Sequence, residues 1–407
     1  MKFDTDNNVL TLYLSGRIDA NNAAETESEI SEVLAKNPGL VPVFDASELE
    51  YISSAGLRVL LKFRKQFGQN LDVLNVSGEV YDIFEVTGFT ELLNVRKRMR
   101  EISVEGCPVI GTGHYATVYR IDSERIIKLF DREAVTPAKI EHDQKVARDA
   151  FIKGIPTAIS YDVVKSGEHY GIVYEMINAD TMNMILQRSP ERIPELSSKA
   201  GALLRQLHRT EFEPGSLPDA VENWRNVLAK IFGLGLISAP ENDMISGLLD
   251  RIPSRNTFIH YDFHPNNILV QGDELVLIDV GDAALGYPAV DLSSIYYIVA
   301  LVPPMMKRMG KTLEQTMGVP EDIMRGYWSN LLPEYFGTTD TTKLQAYEKA
   351  IAGYAAVRQL FSVGGHFCER YQEHANVLSI DAMKPVIHEI VKGIEQVKDT
   401  FGRIEGI

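Results

Sequence analysis

The chain has 407 residues, 45% of them hydrophobic and 24% charged, with a formal net charge of −15. That length exceeds one ordinary core and predicts two or three domains of roughly 100–200 residues each, while the acidic balance argues against nonspecific attraction to nucleic acid or to an anionic membrane. Cys107 and Cys368 are too few and too far apart for a disulfide framework or a zinc site, and neither the polar start Met1-Lys2-Phe3-Asp4-Thr5-Asp6 nor any apolar run suggests a signal peptide or a bilayer span, so a reducing cytoplasm is expected.

Residues 1–104 alternate strand and helix patterns. Leu10, Leu12 and Leu14 alternate with Thr11 and Tyr13, which predicts a half-buried strand. Ile30, Val33 and Leu34 mark one face of a helix between Asn22 and Lys36, stopped at Asn37-Pro38-Gly39. Val41, Val43 and Phe44 give a second strand, and Leu57, Leu60 and Leu61 a helix that Gly68 ends. A third strand over Leu71–Val76 and a short helix over Val80–Val86 complete a small α/β domain with a mixed sheet covered by helices.

The basic stretch Arg96-Lys97-Arg98-Met99-Arg100 reads as a solvated strand or linker at the domain edge, with the junction near Ser103–Gly106. The expected division is 1–104 and 105–407, the latter split into a strand-rich lobe at 105–178 and a helical lobe at 179–407. Tyr347–Phe361 and Ala382–Phe401 are the clearest long helices of that second lobe.

The second region holds the parts that phosphoryl transfer needs: a cover for phosphates, a cation on their oxygens, Mg²⁺ ligands, and a base for the attacking hydroxyl. The cover is Val109-Ile110-Gly111-Thr112-Gly113-His114-Tyr115-Ala116-Thr117-Val118-Tyr119, where Gly111 and Gly113 let backbone N–H groups approach phosphate oxygens. An ordinary hairpin would look much the same. Lys128, on the apolar strand Arg125–Phe130, is placed to reach the α- and β-phosphates. Glu141, at the start of a helix pattern ending at Gly154-Ile155-Pro156, can pair with Lys128; Asp143 and Asp149 are alternatives. The most specific segment is His260-Tyr261-Asp262-Phe263-His264-Pro265-Asn266-Asn267-Ile268-Leu269-Val270. Asp262 can accept or orient a hydroxyl proton, and Asn267, five residues on, can turn its carbonyl oxygen to Mg²⁺. Asp279, closing the apolar run Leu277-Ile278-Asp279, projects a hard carboxylate ligand for the same cation. His, Asp and Asn crowded on one loop are compatible with accidental surface polarity, but Asp279 placed after it argues against chance.

These motifs resemble the aminoglycoside phosphotransferase and choline kinase family, relatives of protein kinases. That family's catalytic loop reads His-Gly-Asp-x-His-x-x-Asn, and its metal loop begins Ile-Asp and runs on to Gly-x-Pro-x-x-Asp-Leu. Here Ile278-Asp279 leads to Gly286-Tyr287-Pro288 and Asp291-Leu292, with Tyr261 in place of the loop glycine and Ala116 in place of the third cover glycine. Gly154-Ile155-Pro156-Thr157, Tyr174-Glu175-Met176 and Leu207-His208 fit as well. The resemblance covers nearly all of residues 105–330. It implies a bilobal α+β protein-kinase-like fold using ATP or GTP with Mg²⁺. Asp262 would be the base, Asn267 and Asp279 the metal ligands, and Lys128 would bind the nucleotide phosphates. Glu175, Met176 and Ile177 would form the hinge that grips the base, while His260 and Asp291 would brace the catalytic loop.

Residues 1–104 resemble the STAS domain, the fold of anti-sigma-factor antagonists, through Gly16-Arg17-Ile18-Asp19, Asp45-Ala46-Ser47 and Tyr51-Ile52-Ser53-Ser54-Ala55-Gly56-Leu57. The family's switch serine corresponds to Ser54, preceded here by Ser53 where an aspartate is usual. Ser54 also stands where a helix N-cap is expected, and a phosphate there would meet the positive helix end while adding about 1.5–2 negative charges. A cap alone and a phosphorylated switch are both compatible with the sequence. A partner such as an anti-sigma-factor-like kinase, or another protein, is implied at this domain.

Three activities follow. One is a kinase for a hydroxyl of a small molecule, coupled to a STAS module. Another is a signalling protein kinase acting on serines of the Ser54 type. The third is a nucleotide-binding regulator without catalysis, against which the intact set Lys128, Asp262, Asn267 and Asp279 argues. The short gap between Asp279 and Asp291 has no room for a protein-kinase activation segment and favours the small molecule. Neither nucleic acid nor membrane is expected as a partner.

Overall fold

Leu10, Leu12 and Leu14 are buried at every second position of a ten-residue strand, so the sheet of the N-terminal unit has one sealed face. The computed structural model describes every residue except 7, 69–70, 114–115, 131–134, 375–376, 403 and 405–407, and the side chains of 373–374. Two units result: Met1–Ser103 with Val163–Glu168, and Val104–Asp162 with His169–Ile407.

In the first unit the elements run β1 (Phe3–Asp6), β2 (Val9–Ile18), α1 (Ala23–Lys36), β3 (Val41–Ile52), α2 (Ser54–Phe67), β4 (Asp72–Val76), α3 (Gly78–Val86) and β5 (Asn94–Lys97). The sheet order is β1-β2-β3-β4-β5, with β1 antiparallel to β2 and every other pair parallel. Parallel neighbours need crossovers, which the three helices supply. Ile30 and Val33 of α1, Leu57, Leu60 and Phe63 of α2, and Val80 and Phe84 of α3 join the strands in one core. The register of β2 on β3 shifts around Gly16, whose φ of 62° takes the bend.

The start of α2 differs from expectation. Ser53, extended at φ −91° and ψ 175°, is the N-cap, and its side chain accepts the Ala55 N–H at 3.2 Å. Ser54 is the first helical residue, and it is exposed. The Ser53 N–H donates to the Ile18 carbonyl at 2.9 Å, which sets this turn beside Asp19 at the end of β2. One turn into α2, a Cβ on Gly56 would fall 2.7 Å from Ile52 Cγ1 and 2.9 Å from the Ile18 carbonyl, so α2 can lie this close to the sheet only with glycine there.

In the second unit, Val109–Thr112, Ala116–Arg120, Arg125–Phe130 and His169–Glu175 form antiparallel neighbours, with Arg125–Phe130 between Ala116–Arg120 and His169–Glu175. Helix α4 (Pro137–Ile152) begins four residues before Glu141, because Thr136 caps it and Pro137 occupies its first turn. The helical lobe is built from Ile193–Leu207, Ala220–Gly233, Glu321–Phe336, Thr341–His374 and Ile380–Val397 around a single apolar core. Ile193–Leu207 and Glu321–Phe336 meet so closely that a Cβ on Gly201 would lie 2.6 Å from the Leu331 carbonyl. Thr341–His374 is 34 residues long, well beyond the expected Tyr347–Phe361. Although no apolar run looked long enough for a bilayer, the helical stretch Ala289–Arg308 reaches 20 residues and is apolar enough by composition. It is 61% buried inside the unit, as a core helix would be.

Two substitutions test this reading of α2. Ser53→Ala removes the cap and is expected to cost about 1 kcal/mol, whereas Ser54→Ala stays within about 0.5 kcal/mol; urea denaturation followed by circular dichroism compares them. Gly56→Ala is expected to destabilise the N-terminal unit by about 1–3 kcal/mol through overpacking, seen as faster amide exchange in α2 and β3.

Candidate active site

A short antiparallel hairpin, Ile268–Gln271 with Glu274–Leu277, carries the key side chains on its flanks. Asn267 ends the turn just before its first strand and Asp279 follows its second by two residues, so one hairpin delivers both to the same place. The Ile278 N–H donates to the Asn267 carbonyl at 3.0 Å and ties the two ends together.

Asp262 stands at one side of this junction with its carboxylate about half exposed. The Asn267 amide Nδ2 donates to its Oδ2 at 3.0 Å and to its main-chain oxygen at 2.9 Å. With the amide nitrogen so committed, the Asn267 carbonyl oxygen is left as an acceptor or metal ligand. His264 Nε2 lies 3.3 Å from Asp262 Oδ2. The surrounding protein works to raise the Asp262 carboxyl, but the imidazole of His264, with help from Arg358 and His260, outweighs it and holds the group well below the usual carboxylate range. His264 moves the other way: burial lowers it, and Asp262, with Asp279 adding to it, raises it above an ordinary histidine.

Asp279 stands at the other side, with φ 61°, and its Oδ1 pairs with Lys128 Nζ. Lys128 comes from the strand Arg125–Phe130, so a cation of the strand-rich lobe meets a carboxylate of the helical lobe inside this unit. Glu141, favoured as the partner of Lys128, is turned to solvent on α4. Asp143 is the acid on the inner face, buried with Ile140, Val146, Ala147 and Ala150. It accepts Lys139 Nζ at 2.7 Å and packs on Gly281, where a Cβ would sit 3.0 Å from its Cγ. Burial pushes the Asp143 carboxyl up to about 6, against the pull of Lys139 and of Lys128. Asp149 pairs with Lys145.

The loop before Asp262 is held from beneath. Asp291 has no exposed surface, and it accepts the His260 N–H at 2.7 Å, the Tyr261 N–H at 2.6 Å and His208 Nε2 at 3.1 Å. A carboxylate only accepts, so His208 donates through Nε2 and its Nδ1 takes the Tyr335 hydroxyl at 2.7 Å. His260 is buried too, and its Nδ1 accepts the Asp262 N–H at 3.3 Å. Tyr261 has φ 74°, a left-handed conformation that suits glycine. Its ring compensates by packing, its hydroxyl donates to the Ala220 carbonyl at 3.3 Å, and its own carbonyl accepts Arg358 Nη2 at 2.6 Å. Asn183 Nδ2 fixes the far end of the loop, donating at 2.7 Å to Asn266 Oδ1 and at 2.7 Å to the Gly318 carbonyl.

In the segment expected to cover phosphates, Gly113 donates its N–H to the Ala116 carbonyl at 2.8 Å; His114 and Tyr115 lie outside the described residues. A Cβ on Gly111 would make only ordinary contact with Val118. At the expected hinge, the Glu175 N–H donates to Ile159 and the Met176 N–H to Glu124, at 3.0 and 2.7 Å. The Glu175 carboxylate accepts the Ile159 N–H at 2.8 Å. Among the described residues this leaves the Ile177 N–H as the donor available to a base. Among the described residues no group of three or more His, Cys, Asp or Glu side chains is arranged to hold a metal ion. Asn267 and Asp279 nonetheless offer hard oxygen donors of the kind Mg²⁺ takes when phosphate oxygens and water complete its shell.

Residues 107–317 match the model of the phosphotransferase enzyme family, and residues 1–102 match the STAS domain. The chain belongs to the phosphotransferase enzyme family and carries a STAS domain at its N-terminus. Over 98 residues it is 34% identical to BtrV of Bordetella bronchiseptica, provisionally described as an anti-sigma factor antagonist, covering 23% of this chain and 84% of that one. An anti-sigma-B factor antagonist of Listeria monocytogenes is 29% identical over 96 residues, 23% of this chain and 82% of that one. Among solved structures, a choline/ethanolamine kinase family protein of Mesorhizobium loti aligns over 72% of this chain and 90% of its own, with TM-score 0.48 and 16% identity. The streptomycin–ATP complex of the aminoglycoside phosphotransferase APH(2")-IIa aligns over 73% and 93%, with TM-score 0.42 and 13% identity.

Replacing Asp291 by alanine strands two buried backbone donors and His208. It is expected to cost roughly 3–5 kcal/mol, read as an earlier denaturant midpoint in the fluorescence of Trp224 and Trp328, both in the second unit.

Proposed function

We propose that residues 105–407 transfer the γ-phosphate of ATP to a hydroxyl of a small molecule, and that residues 1–104 are a STAS module through which this activity is controlled or reported. The observation that carries the reading is the junction of the hairpin, where Asp262 with Asn267 and Asp279 with Lys128 flank the same backbone bond. A nucleotide bound there would draw Lys128 onto its α- and β-phosphates, and the Ile177 N–H is the hinge donor left for its base. Asn267 and Asp279 would hold Mg²⁺, which neutralises phosphate charge when bound.

The acceptor hydroxyl donates to Asp262. Its oxygen forms a bond to the γ-phosphorus while the bond from that phosphorus to the bridging oxygen breaks, and ADP leaves with the electron pair. The hydroxyl proton passes to Asp262. Asp262 orients the hydroxyl oxygen and takes its proton as the new bond forms. His264 and Asn267 keep it in that orientation.

A second reading has its own support. Ser54 is exposed and its hydroxyl is not used for capping, so a serine of this type is open to a kinase, in this chain or in a partner. Incubation with labelled ATP and Mg²⁺ separates the two. Label released onto added small alcohols, and not onto protein, supports the first. Label on the protein that disappears in Ser54→Ala supports the second. Asp262→Ala is expected to lower transfer at least about 10³-fold while ATP affinity changes less than about threefold; turnover at the wild-type rate would remove Asp262 from its role.

A further inference from the structure

Arg358 projects from the helix Thr341–His374 to the loop that carries Asp262. Its Nη2 donates to the carbonyl of Tyr261, the residue next to Asp262, at 2.6 Å, and its guanidinium carbon lies 5.2 Å from the Tyr261 ring centroid. The side chain is half-buried. Among the described residues it forms no ion pair, although carboxylates are near. Asp262 is engaged by His264 and Asn267, Asp291 by the loop N–H groups and His208, Asp282 by Lys139, and Asp219 caps Ala220–Gly233. A guanidinium has five N–H donors in a rigid fork, and only one is spent here. The remaining donors are open to water or to an anion, and the fork fits the two oxygens of a carboxylate or phosphate. Tyr261 immediately precedes Asp262 in the chain, so an anion on Arg358 would stand beside the residue proposed to take the hydroxyl proton.

Building on the small-molecule kinase reading, we propose that the acceptor bears a carboxylate or phosphate group beside its hydroxyl, and that Arg358 binds this oxyanion and so selects against cationic alcohols. The bare cation would repel an amino alcohol at this spot, whereas the oxyanion replaces the water on its free N–H groups.

The test uses the full chain, an ADP-release assay, and sets of hydroxy compounds matched except for charge. Glycerate and glycerol 3-phosphate are compared with glycerol and 3-amino-1,2-propanediol; aldonates and sugar phosphates are compared with their parent sugars and amino sugars. Anionic members are expected to be turned over with the highest kcat/KM, and the carboxylate and phosphate arms identify which oxyanion is preferred. Arg358→Gln should raise KM for the anionic member about 10- to 100-fold, with a smaller change in kcat, and Arg358→Lys should fall between. Inorganic phosphate should compete with the acceptor in the wild-type chain, a readout that stands if Arg358→Gln does not fold. Preference for neutral or cationic members would overturn the inference. So would an equal fall in kcat for all members in Arg358→Gln, which would make Arg358 a support for Tyr261 only. If no compound of any charge raises ADP release while ATP still binds, the small-molecule kinase reading fails, and this inference falls with it.

Discussion

Asp291 reaches no solvent, yet three donors from two directions converge on its two oxygens. In a low-dielectric interior an unpaired carboxylate or an unpaired N–H is costly, so the group and its donors hold each other in one arrangement. That arrangement fixes the backbone of His260 and Tyr261, and through them the direction in which Asp262 leaves the loop. His208 and Tyr335 extend the same network to two helices, Ile193–Leu207 and Glu321–Phe336. The position of the Asp262 carboxylate thus rests on packing well away from it.

Tyr261 shows what this bracing permits. A left-handed residue with a large side chain carries a local penalty of order 1–3 kcal/mol, which here is offset on three sides: Asp291 below its N–H, Ala220 at its hydroxyl, Arg358 at its carbonyl. The phenol itself is pushed well above its ordinary value by burial, so it stays neutral and acts as packing and as a hydrogen-bond donor. In exchange for the strain, the loop gains an aromatic side chain that packs beside Asp262 and beneath the Arg358 guanidinium.

Charge is divided across the cleft of the second unit. Lys128 faces Asp279 on one side of the hairpin junction, and Asp143 sits behind Gly281 where it feels the same lysine. On the other side of the hairpin junction the pair His264 and Asp262 is bordered by Arg358. The N-terminal unit keeps its chemistry at a different kind of place, the first turn of α2, where Ser53 serves the helix and leaves the Ser54 hydroxyl unspent.

Local patterns in the sequence were enough for much of this. Alternation in Leu10–Leu14 and the helical spacing of Leu57, Leu60 and Leu61 determine strand and helix because each period allows one sealed face. The segments His260–Asn267 and Ile278-Asp279 carry their motif locally, so they were legible as a candidate site. What sequence left open depended on neighbours far along the chain. Glu141 and Asp143 are both acids in one helix, and only the packing of Ile140, Val146 and Ala147 decides that Asp143 faces inward. Ser53 outcompetes Ser54 as the cap because its N–H is claimed by Ile18 on an adjacent strand. Arg358 lies 97 residues from Tyr261 and carries no motif; a long helix must first be laid against the catalytic loop before its charge has any meaning. Short-range periodicity and turn chemistry act within a few residues and are written in order, whereas burial and hydrogen-bond satisfaction between distant segments exist only once the chain has folded.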